Sequence, residues 1–383
     1  MRVAVIGDLI IDCYIYGTAN RLSPEAPIPV VQQKEVIHKN GGAGNLFDNL
    51  VCLGVDCDFI YTQDEPSVKT RVFCDGHYVT RIDEDHMADG DATLEIVRSH
   101  NFSQYEYVVL SDYNKGTLDR AKEIIEHVNS FGCKVIVDPK RHVSEYQGAW
   151  LLKPNLKEYF DFGFNTVVGL NTIVTSSSNE VTAHIDGRVY RIEPEQVEVA
   201  DVTGAGDCFL AAFVYGLTKG YNHRKCLELA TRAATESVKH IGTYMLKLED
   251  VEQKVVFTNG CFDILHRGHI EYLEQSKKLG HKLVVGLNSD ASVKRLKGDS
   301  RPINNEDDRY KALEALRCVD EVYIFEDDTP YKLIKMVEPD IITKGGDYKP
   351  EDVVGNDLAD VVILPYVENY STTNIVSKLN DAT

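Results

Sequence analysis

One pattern of hydrophobic and polar positions repeats along the chain: a short β-branched run that ends in a polar residue, followed by an amphipathic helical stretch. The runs are RVAVIGD, YEYVVLSD, CKVIVDP, NTIVTS, KVVFTNG, HKLVVGLNSD, EVYIFED, DIITKGGD and DVVILPY. Continuous apolar strands that alternate with helices are typical of parallel sheets covered on both faces. The pattern therefore predicts an α/β fold, with polar chemistry at the carboxyl edge of the strands, where ligands bind in such sheets.

The pattern restarts after about two thirds of the chain. A long helical segment is predicted over residues 207–240, a short polar connector follows at 248–253, and a new strand opens at Lys254. At 383 residues the chain is long for one domain. We therefore expect two domains, over residues 1–250 and 254–383.

One segment of the first domain differs from its surroundings. Residues 13–39 contain Pro24, Pro27 and Pro29 together with alternating Val and Ile residues. Proline is tolerated at sheet edges and outside central strands. The segment is therefore predicted to form a strand-rich lid apart from the main sheet.

Composition narrows the class of protein. The 41 Lys and Arg against 60 Asp and Glu give a net charge of −19, which argues against a nucleic-acid or anionic-membrane partner. The nine cysteines form no CxxC pair, as in proteins that keep their thiols reduced. The apolar run at the N-terminus is too short to span a bilayer and is interrupted by Asp8 and Asp12. We expect a cytoplasmic protein.

The most specific local signal is FTNGCFDILHRGH over residues 257–269, in which a strand leads through a glycine turn into a helix. His266 and His269 are three residues apart, so both imidazoles lie on one face of its first turns. The free N–H groups at that helix end favour a phosphate chain. A zinc pair and two merely solvated histidines are the alternatives. Asp263 and Asp347 are either functional or loop-capping carboxylates.

This segment resembles the HxGH motif of cytidylyltransferase-type nucleotidyltransferases. Further matching segments are Lys297-Gly298, Arg301-Pro302-Ile303, Asp308-Arg309, KGGDY at 344–348 and YSTTNI at 370–375. They resemble most closely the adenylyltransferase half of bifunctional heptose-7-phosphate kinase/heptose-1-phosphate adenylyltransferases. The resemblance implies a Rossmann-like domain with catalytic His266, His269 and Lys297, an ATP site at Thr258, Phe262, Arg309, Ser371, Thr372 and Thr373, and Asp347 at the sugar phosphate. An anionic sugar-phosphate oxygen can attack the α-phosphorus of ATP without a general base, so alignment and charge neutralisation suffice.

A glycine-rich turn, DVTGAGD, precedes the predicted helix of the first domain. Consecutive N–H groups of Gly204, Ala205 and Gly206 can converge on an anion at the helix start. Asp207 at the same end is placed to accept a proton from an attacking hydroxyl. The turn alone is weak support for a site, since most glycine-rich turns are plain loops.

Other segments of residues 1–248 support the interpretation of that turn as a functional site. Together with it they resemble ribokinase-family sugar kinases. They are Gly7-Asp8, Asp12, GGAGN at 41–45, SDYNKG at 111–116, DPK at 138–140 and PNLKE at 154–158, while SPEAP at 23–27 and KTR at 69–71 narrow the resemblance to heptose-phosphate kinases. The resemblance implies a three-layer ribokinase-like domain with a β-rich lid, which often pairs to form a homodimer. Asp207 would be the base and residues 204–206 the anion hole. Asn155 and Glu158 would organise ATP phosphates and Mg²⁺, the latter indirectly, and the sugar phosphate would meet Asp8, Asp12, Gly42, Asn45, Lys69 and Arg71.

The first domain departs from that family in two places. After Gly54 the chain passes almost directly to Lys69, and after Glu158 a short link reaches Val168, where further strand and helix are expected. The sequence thus predicts phosphorylation of heptose 7-phosphate at C1 with ATP, followed by adenylylation to ADP-heptose. Two alternatives stay open: a first domain that only dimerises or binds sugar, and use of CTP in place of ATP.

Overall fold

The structure, a computed structural model, describes residues 1–177, 179–346 and 348–365. It divides into two compact units, Met1–Glu252 and Gln253–Thr383. Four of the predicted site residues lie outside the described residues, namely Asp347, Ser371, Thr372 and Thr373.

The described residues of the first unit form two sheets, and helices cover the larger one. Its strands are β1 (Arg2–Gly7), β2 (Leu9–Thr18), β3 (Gln32–Gly42), β4 (Asp56–Ile60), β5 (Ser67–Cys74), β6 (His77–Glu84), β7 (Tyr107–Ser111), β8 (Lys134–Asp138), β9 (Leu151–Leu152), β10 (Thr172–Val174), β11 (Val181–Ile185) and β12 (Arg188–Ile192). Its helices are α1 (Ala43–Cys52), α2 (Gly90–Ser99), α3 (Ala121–Asn129), α4 (Leu156–Asp161), α5 (Ala205–Thr218), α6 (His223–Ser237) and α7 (Leu248–Val251), with 3-10 turns at Val143–Tyr146 and Phe164–Thr166.

The main sheet has the order β12-β11-β10-β9-β8-β7-β1-β4. The six strands β10-β9-β8-β7-β1-β4 pair in parallel, while β11 and β12 form an antiparallel edge. Alternate residues of β1 enter two different cores. Val3 and Val5 pack with α1, α5 and α6, and Ala4 and Ile6 pack with α2 and α3. The sheet is covered on both faces, which confirms the predicted three-layer α/β architecture.

The second sheet of this unit has the order β3-β2-β5-β6. The predicted lid, residues 13–39, supplies most of β2 and β3, but the sheet also includes the β5–β6 hairpin, which the sequence analysis did not predict. The hairpin turns at Asp75 and Gly76, both with positive φ. An Asp-Gly pair between two strands is a strong hairpin signal that could have revealed it.

The prediction of one helical segment over residues 207–240 is wrong. Helix α5 ends at Thr218 and α6 begins at His223. Gly220 has φ +74°, a left-handed conformation that glycine adopts readily. The side chain of Asn222 then accepts a hydrogen bond of 3.0 Å from the N–H of Lys225 and caps the new helix.

The second unit is a smaller parallel sheet with helices on both faces. Its elements are β13 (Val255–Gly260), α8 (Arg267–Lys277), β14 (Lys282–Asn288), α9 (Asp290–Lys297), α10 (Glu306–Glu314), β15 (Glu321–Phe325), α11 (Tyr331–Val337), β16 (Ile341–Gly345), a 3-10 turn at Pro350–Asp352 and β17 (Asp360–Leu364). The strand order is β15-β14-β13-β16-β17 with every pair parallel. Val256 and Phe257 enter opposite cores. This confirms the Rossmann-like prediction.

Across the described parts of both units, no helix is long and apolar enough to cross a membrane.

Candidate active sites

Asp207 lies in the first turn of α5, almost completely buried. Its Oδ2 accepts a hydrogen bond of 2.8 Å from the amide of Asn45, and its Oδ1 accepts one of 2.7 Å from the hydroxyl of Tyr113. Burial raises the pKa of Asp207 to about 6, although these two hydrogen bonds act in the opposite direction. A carboxylate with this pKa can take a proton from a substrate hydroxyl near neutral pH.

The turn before α5 begins the helix at Gly204, which has φ +77°. A Cβ at this position would lie 2.7 Å from Nδ2 of Asn45. Only glycine therefore meets both the backbone and the packing requirement here. The turn places the N–H groups of residues 204–206 at the helix start, where anions bind, although that of Ala205 also donates to the carbonyl oxygen of Val202 at 3.3 Å.

Asp8 holds the loop that carries Tyr113. The fully buried carboxylate accepts hydrogen bonds from the backbone N–H groups of Tyr113, Lys115 and Thr117 at 2.8 to 3.1 Å. This geometry gives Asp8 a positioning task, since three donors already engage its two oxygens. Its predicted contact with sugar hydroxyls stays a prediction.

A buried ion pair lies beside the glycine turn. Nζ of Lys153 is 3.0 Å from Oδ2 of Asp138, and both side chains are less than a tenth exposed. A Cβ on Gly206 would be 3.3 Å from the same Nζ. Lys153 was not among the predicted site residues. Its position immediately after strand β9 was the signal that could have identified it.

Asn155 and Glu158 form a reciprocal capping box at the start of α4. The N–H of Glu158 donates to Oδ1 of Asn155 and the N–H of Asn155 donates to Oε2 of Glu158, each at 2.9 Å. The other oxygen of Glu158 pairs with Lys140. Both capping residues line a cavity of about 1030 Å³, together with residues 204–206. A cavity of this size can enclose a nucleotide.

The predicted sugar-binding residues are distributed between the lid sheet and α1. Asp12 of β2 forms an ion pair with Arg71 of β5. Lys69 Nζ lies 5.9 Å from the centre of the Tyr113 ring, and burial lowers its pKa. Gly42, with φ +57°, begins α1, which carries Asn45 to the carboxylate of Asp207. The structure thus brings Asn45 and Lys69 next to Tyr113 and Asp207.

In the second unit, His266 caps the N-terminus of α8 and accepts a hydrogen bond of 3.3 Å at Nδ1 from the N–H of His269. The two rings stack with centroids 3.8 Å apart, and Phe262 meets His269 edge-on. Burial, His266 and nearby Lys297 lower the pKa of His269 to about 4. The imidazole is therefore neutral at pH 7 in the protein without ligand.

Other predicted residues of this unit are occupied by contacts within the protein. Arg309 is buried and donates to the carbonyl oxygens of Cys261, Asn288 and Asn304 and to the carboxylate of Asp290. The hydroxyl of buried Thr258 contacts that of Tyr272 at 2.7 Å. These contacts favour structural roles, and direct contacts of Thr258 and Arg309 with ATP stay predictions.

The contacts of Asp263 favour the loop-capping alternative, and a functional role for its carboxylate stays a prediction. Its carboxylate accepts hydrogen bonds from Arg301 at 2.8 Å and from the N–H groups of Ile303 and Asn304 at 2.7 and 3.0 Å. The described residues contain no group of three or more His, Cys, Asp or Glu side chains arranged to hold a metal ion.

Comparison with known sequences defines the class. The description "pfkB family carbohydrate kinase" matches residues 46–250, and "Cytidylyltransferase-like" matches residues 257–378. The chain is a transferase that joins a kinase to a nucleotidyltransferase. The first unit also resembles the solved structure of phosphofructokinase-2 from Escherichia coli, with a TM-score of 0.52 at 14% identity over 65% of this chain and 96% of that one. That likeness concerns the fold.

Two relatives match from end to end. The bifunctional protein HldE of Nitratiruptor sp. is 36% identical over 460 positions, covering 99% of both chains. That of Aliarcobacter butzleri is 34% identical over 464 positions, covering 99% of this chain and 98% of its own. This chain belongs to the family of bifunctional HldE proteins. Because the alignments run over more positions than the 383 residues present here, the relatives carry segments that this chain lacks.

Proposed function

We propose that the chain catalyses two steps toward an ADP-heptose. It phosphorylates heptose 7-phosphate at C1, which gives the 1,7-bisphosphate, and it adenylylates heptose 1-phosphate, which forms once a separate phosphatase has hydrolysed the 7-phosphate. The first unit transfers the γ-phosphoryl group of ATP to the C1 hydroxyl. In the second unit an oxygen of the sugar 1-phosphate bonds to the α-phosphorus of another ATP, and pyrophosphate leaves with the electrons of the broken P–O bond. One observation carries the proposal: each unit has the start of a helix that can hold phosphate. In the first unit Asp207 lies there and can accept the hydroxyl proton, whereas the second unit has two histidines there and its reaction needs no base.

In the kinase step a hydroxyl must lose its proton. Asp207, with its pKa raised to about 6, would accept that proton, and the N–H groups of residues 204–206 would hold the transferred group. The cavity beside them has apolar walls from Val199, Phe209 and Val238, which suit an adenine ring.

Mg²⁺ would neutralise the ATP phosphates. Glu158 and Asn155 line the same cavity and carry oxygen ligands of the type Mg²⁺ prefers. Their oxygens already serve the capping box and Lys140, which supports contact through water.

In the nucleotidyl transfer the nucleophile is already anionic, so no base is needed. The stacked His266 and His269, neutral and close to Lys297, would align the phosphate chain at the start of α8.

Product analysis by mass spectrometry tests both steps. With ATP and Mg²⁺, the wild-type chain is expected to convert heptose 7-phosphate to heptose 1,7-bisphosphate and to convert supplied heptose 1-phosphate to ADP-heptose. Asp207→Asn should fail on heptose 7-phosphate yet adenylylate supplied heptose 1-phosphate, and His269→Asn should still form heptose 1,7-bisphosphate but fail on supplied heptose 1-phosphate. Failure of the wild type to make either product overturns the proposal.

In a second candidate function the chain catalyses only the nucleotidyl transfer, and the first unit is a sugar-binding or dimerising module. The shortened framework favours it, because α4 has only six residues before the next turn. Heptose 1-phosphate turnover without any heptose 7-phosphate phosphorylation would establish this alternative. Comparing ATP with CTP in a pyrophosphate-release assay decides the nucleotide.

We also infer a homodimer through the lid sheet. Strand β6 is exposed along its whole length and presents Tyr78, Val79 and Ile82, each at least 40% exposed. Ile82→Lys is expected to give a monomer in light scattering. Val189→Lys, on the exposed β12 edge of the main sheet, serves as the matched control.

A further inference from the structure

Lys344 lies at the position where parallel sheets open a binding crevice. The chain builds β14 and β15 outward from one side of β13, then returns to add β16 and β17 on the other side. The carboxyl ends of β13 and β16 therefore diverge at a topological switch point, where ligands bind in such sheets. Lys344 is the penultimate residue of β16.

The ammonium group of Lys344 is held by neutral groups. Nζ donates a hydrogen bond of 2.8 Å to Oδ1 of Asn259, the penultimate residue of β13, and lies 5.8 Å from the centre of the Tyr348 ring. No carboxylate among the described residues is within ion-pair distance of it. Burial lowers the pKa of Lys344.

Among the described residues, three other buried or partly buried cations are paired with carboxylates. Lys153, Arg301 and Arg309 each lie within 3.0 Å of a carboxylate oxygen. A partly buried cation without a counter-ion is costly, because water no longer solvates it fully. Such an arrangement at a binding crevice is typical of a site whose counter-ion is the ligand itself.

We propose that Lys344 binds the phosphate group of the sugar 1-phosphate and so selects an anionic nucleophile, an inference that rests on the proposed adenylyl transfer. The start of α8, with His266 and His269, already offers donors to the triphosphate, whereas Lys344 belongs to the neighbouring strand. Two anions must meet within bonding distance in this reaction, and a fixed cation next to the second one offsets their repulsion.

The test uses the full chain with heptose 1-phosphate supplied directly and pyrophosphate release as the readout. Lys344→Met is expected to raise KM for the sugar phosphate by at least ~10-fold, as for loss of a charge-assisted hydrogen bond, with KM for ATP within twofold. Lys344→Arg should recover part of the loss. Lys332→Met, an exposed lysine of α11, is the matched control and should behave as wild type.

A second variant keeps the lysine and addresses folding. Asn259→Asp places a carboxylate at the hydrogen-bonding partner of Lys344, so it should raise the melting temperature and yet raise KM for the sugar phosphate more than KM for ATP. An unchanged KM for the sugar phosphate in both variants, or a rise confined to ATP, overturns the assignment. Absence of pyrophosphate release in the wild type overturns the proposed adenylyl transfer itself, and the assignment with it.

Discussion

The hydroxyl of Tyr113 donates a hydrogen bond of 2.7 Å to Oδ1 of Asp207. The backbone N–H of Tyr113 is itself held at 2.8 Å by the buried carboxylate of Asp8. The bond stabilises the charged form of Asp207 and opposes the burial that raises its pKa to about 6. Tyr113 thus keeps the proposed base closer to its ionised form at neutral pH.

Tyr113→Phe is expected to raise the pKa of Asp207. A base acts only when deprotonated, so the acidic limb of the kinase pH profile moves to higher pH and the lost activity returns as pH rises. A hydrogen bond to a charged group contributes on the order of 1.5–3 kcal/mol, which corresponds to a displacement of about one to two pH units. The pH dependence of kcat/KM for sugar phosphorylation measures it.

Tyr105→Phe is the matched control for that experiment. Its hydroxyl donates to Oδ2 of Asp58 at 2.6 Å, so the change removes a similar bond near the opposite end of β7. Its pH profile should coincide with the wild type. If kcat/KM of Tyr113→Phe falls by the same factor at every pH, Tyr113 does not set the pKa of Asp207.

Gly204 and Gly220 allow a test of how the base is held. Both have left-handed φ, +77° and +74°, but an added Cβ would clash with Asn45 at Gly204 and meets nothing within 4 Å at Gly220. Each alanine substitution should cost about 1–2 kcal/mol of stability from the backbone. Only Gly204→Ala should also displace Asn45 from Asp207, and we expect its kinase kcat to fall at least ~10-fold.

Melting temperature and kcat are measured together for the two alanine variants. The expected outcome is a larger loss of kcat for Gly204→Ala, with a loss of stability at least as large as that of Gly220→Ala. If Gly220→Ala loses as much kcat as Gly204→Ala, the contact between Asn45 and Asp207 does not set the rate.

Local pattern predicted the strands of the parallel sheets well. All nine apolar runs contain strands, because a strand covered on both faces must be apolar throughout. Strand β6 was not predicted, since all eight of its residues are exposed and no burial pattern marks it. Antiparallel β11 and β12, at the edge of the main sheet, were not predicted either.

The site was predictable in its position but less so in its contacts. In the sequence, Asp263 follows the glycine turn at Gly260 and Arg309 belongs to the Asp308-Arg309 segment, and at either position a charge can serve a ligand or the backbone. The choice depends on partners that folding supplies, such as Arg301, which is 38 residues from Asp263 in sequence. Lys153 escaped prediction for the same reason, since its neighbours Asp138 and Gly206 belong to distant segments.

Variants of the buried pair of Lys153 and Asp138 can distinguish an effect on stability from an effect on catalysis. Removing one member of a buried ion pair costs about 3–5 kcal/mol, because the other charge is left unpaired. Lys153→Met should therefore lower the free energy of unfolding by about this amount, and Lys153→Met with Asp138→Asn should restore most of it. Urea denaturation provides the measurement.

Kinase turnover of the same variants reports on the phosphoryl site. Lys153 lies against Gly206, so we expect turnover to stay low in the stable double variant, which lacks the cation. Asp138→Asn alone keeps the ammonium group and should lose less turnover than the double variant. Recovery of turnover together with stability in the double variant would make the pair purely structural.

We expect the stacked histidines to make binding of ATP to the second unit dependent on pH. In the free protein the pKa of His269 is lowered to about 4, so the ring is neutral at pH 6. A triphosphate next to the ring favours its charged form and raises this pKa. Binding then takes up a proton, and by linkage the affinity increases as pH falls toward the raised pKa of the complex.

Calorimetry with a non-hydrolysable ATP analogue measures that proton uptake, from titrations at pH 6 in two buffers of different ionisation enthalpy. His269→Asn is the reference, since protons taken up by the analogue or at the kinase site are common to both proteins. The wild type should take up more protons than the variant, and its affinity should fall more steeply from pH 6 to pH 8. Equal uptake in the two proteins would mean that the imidazole of His269 does not meet the phosphate chain.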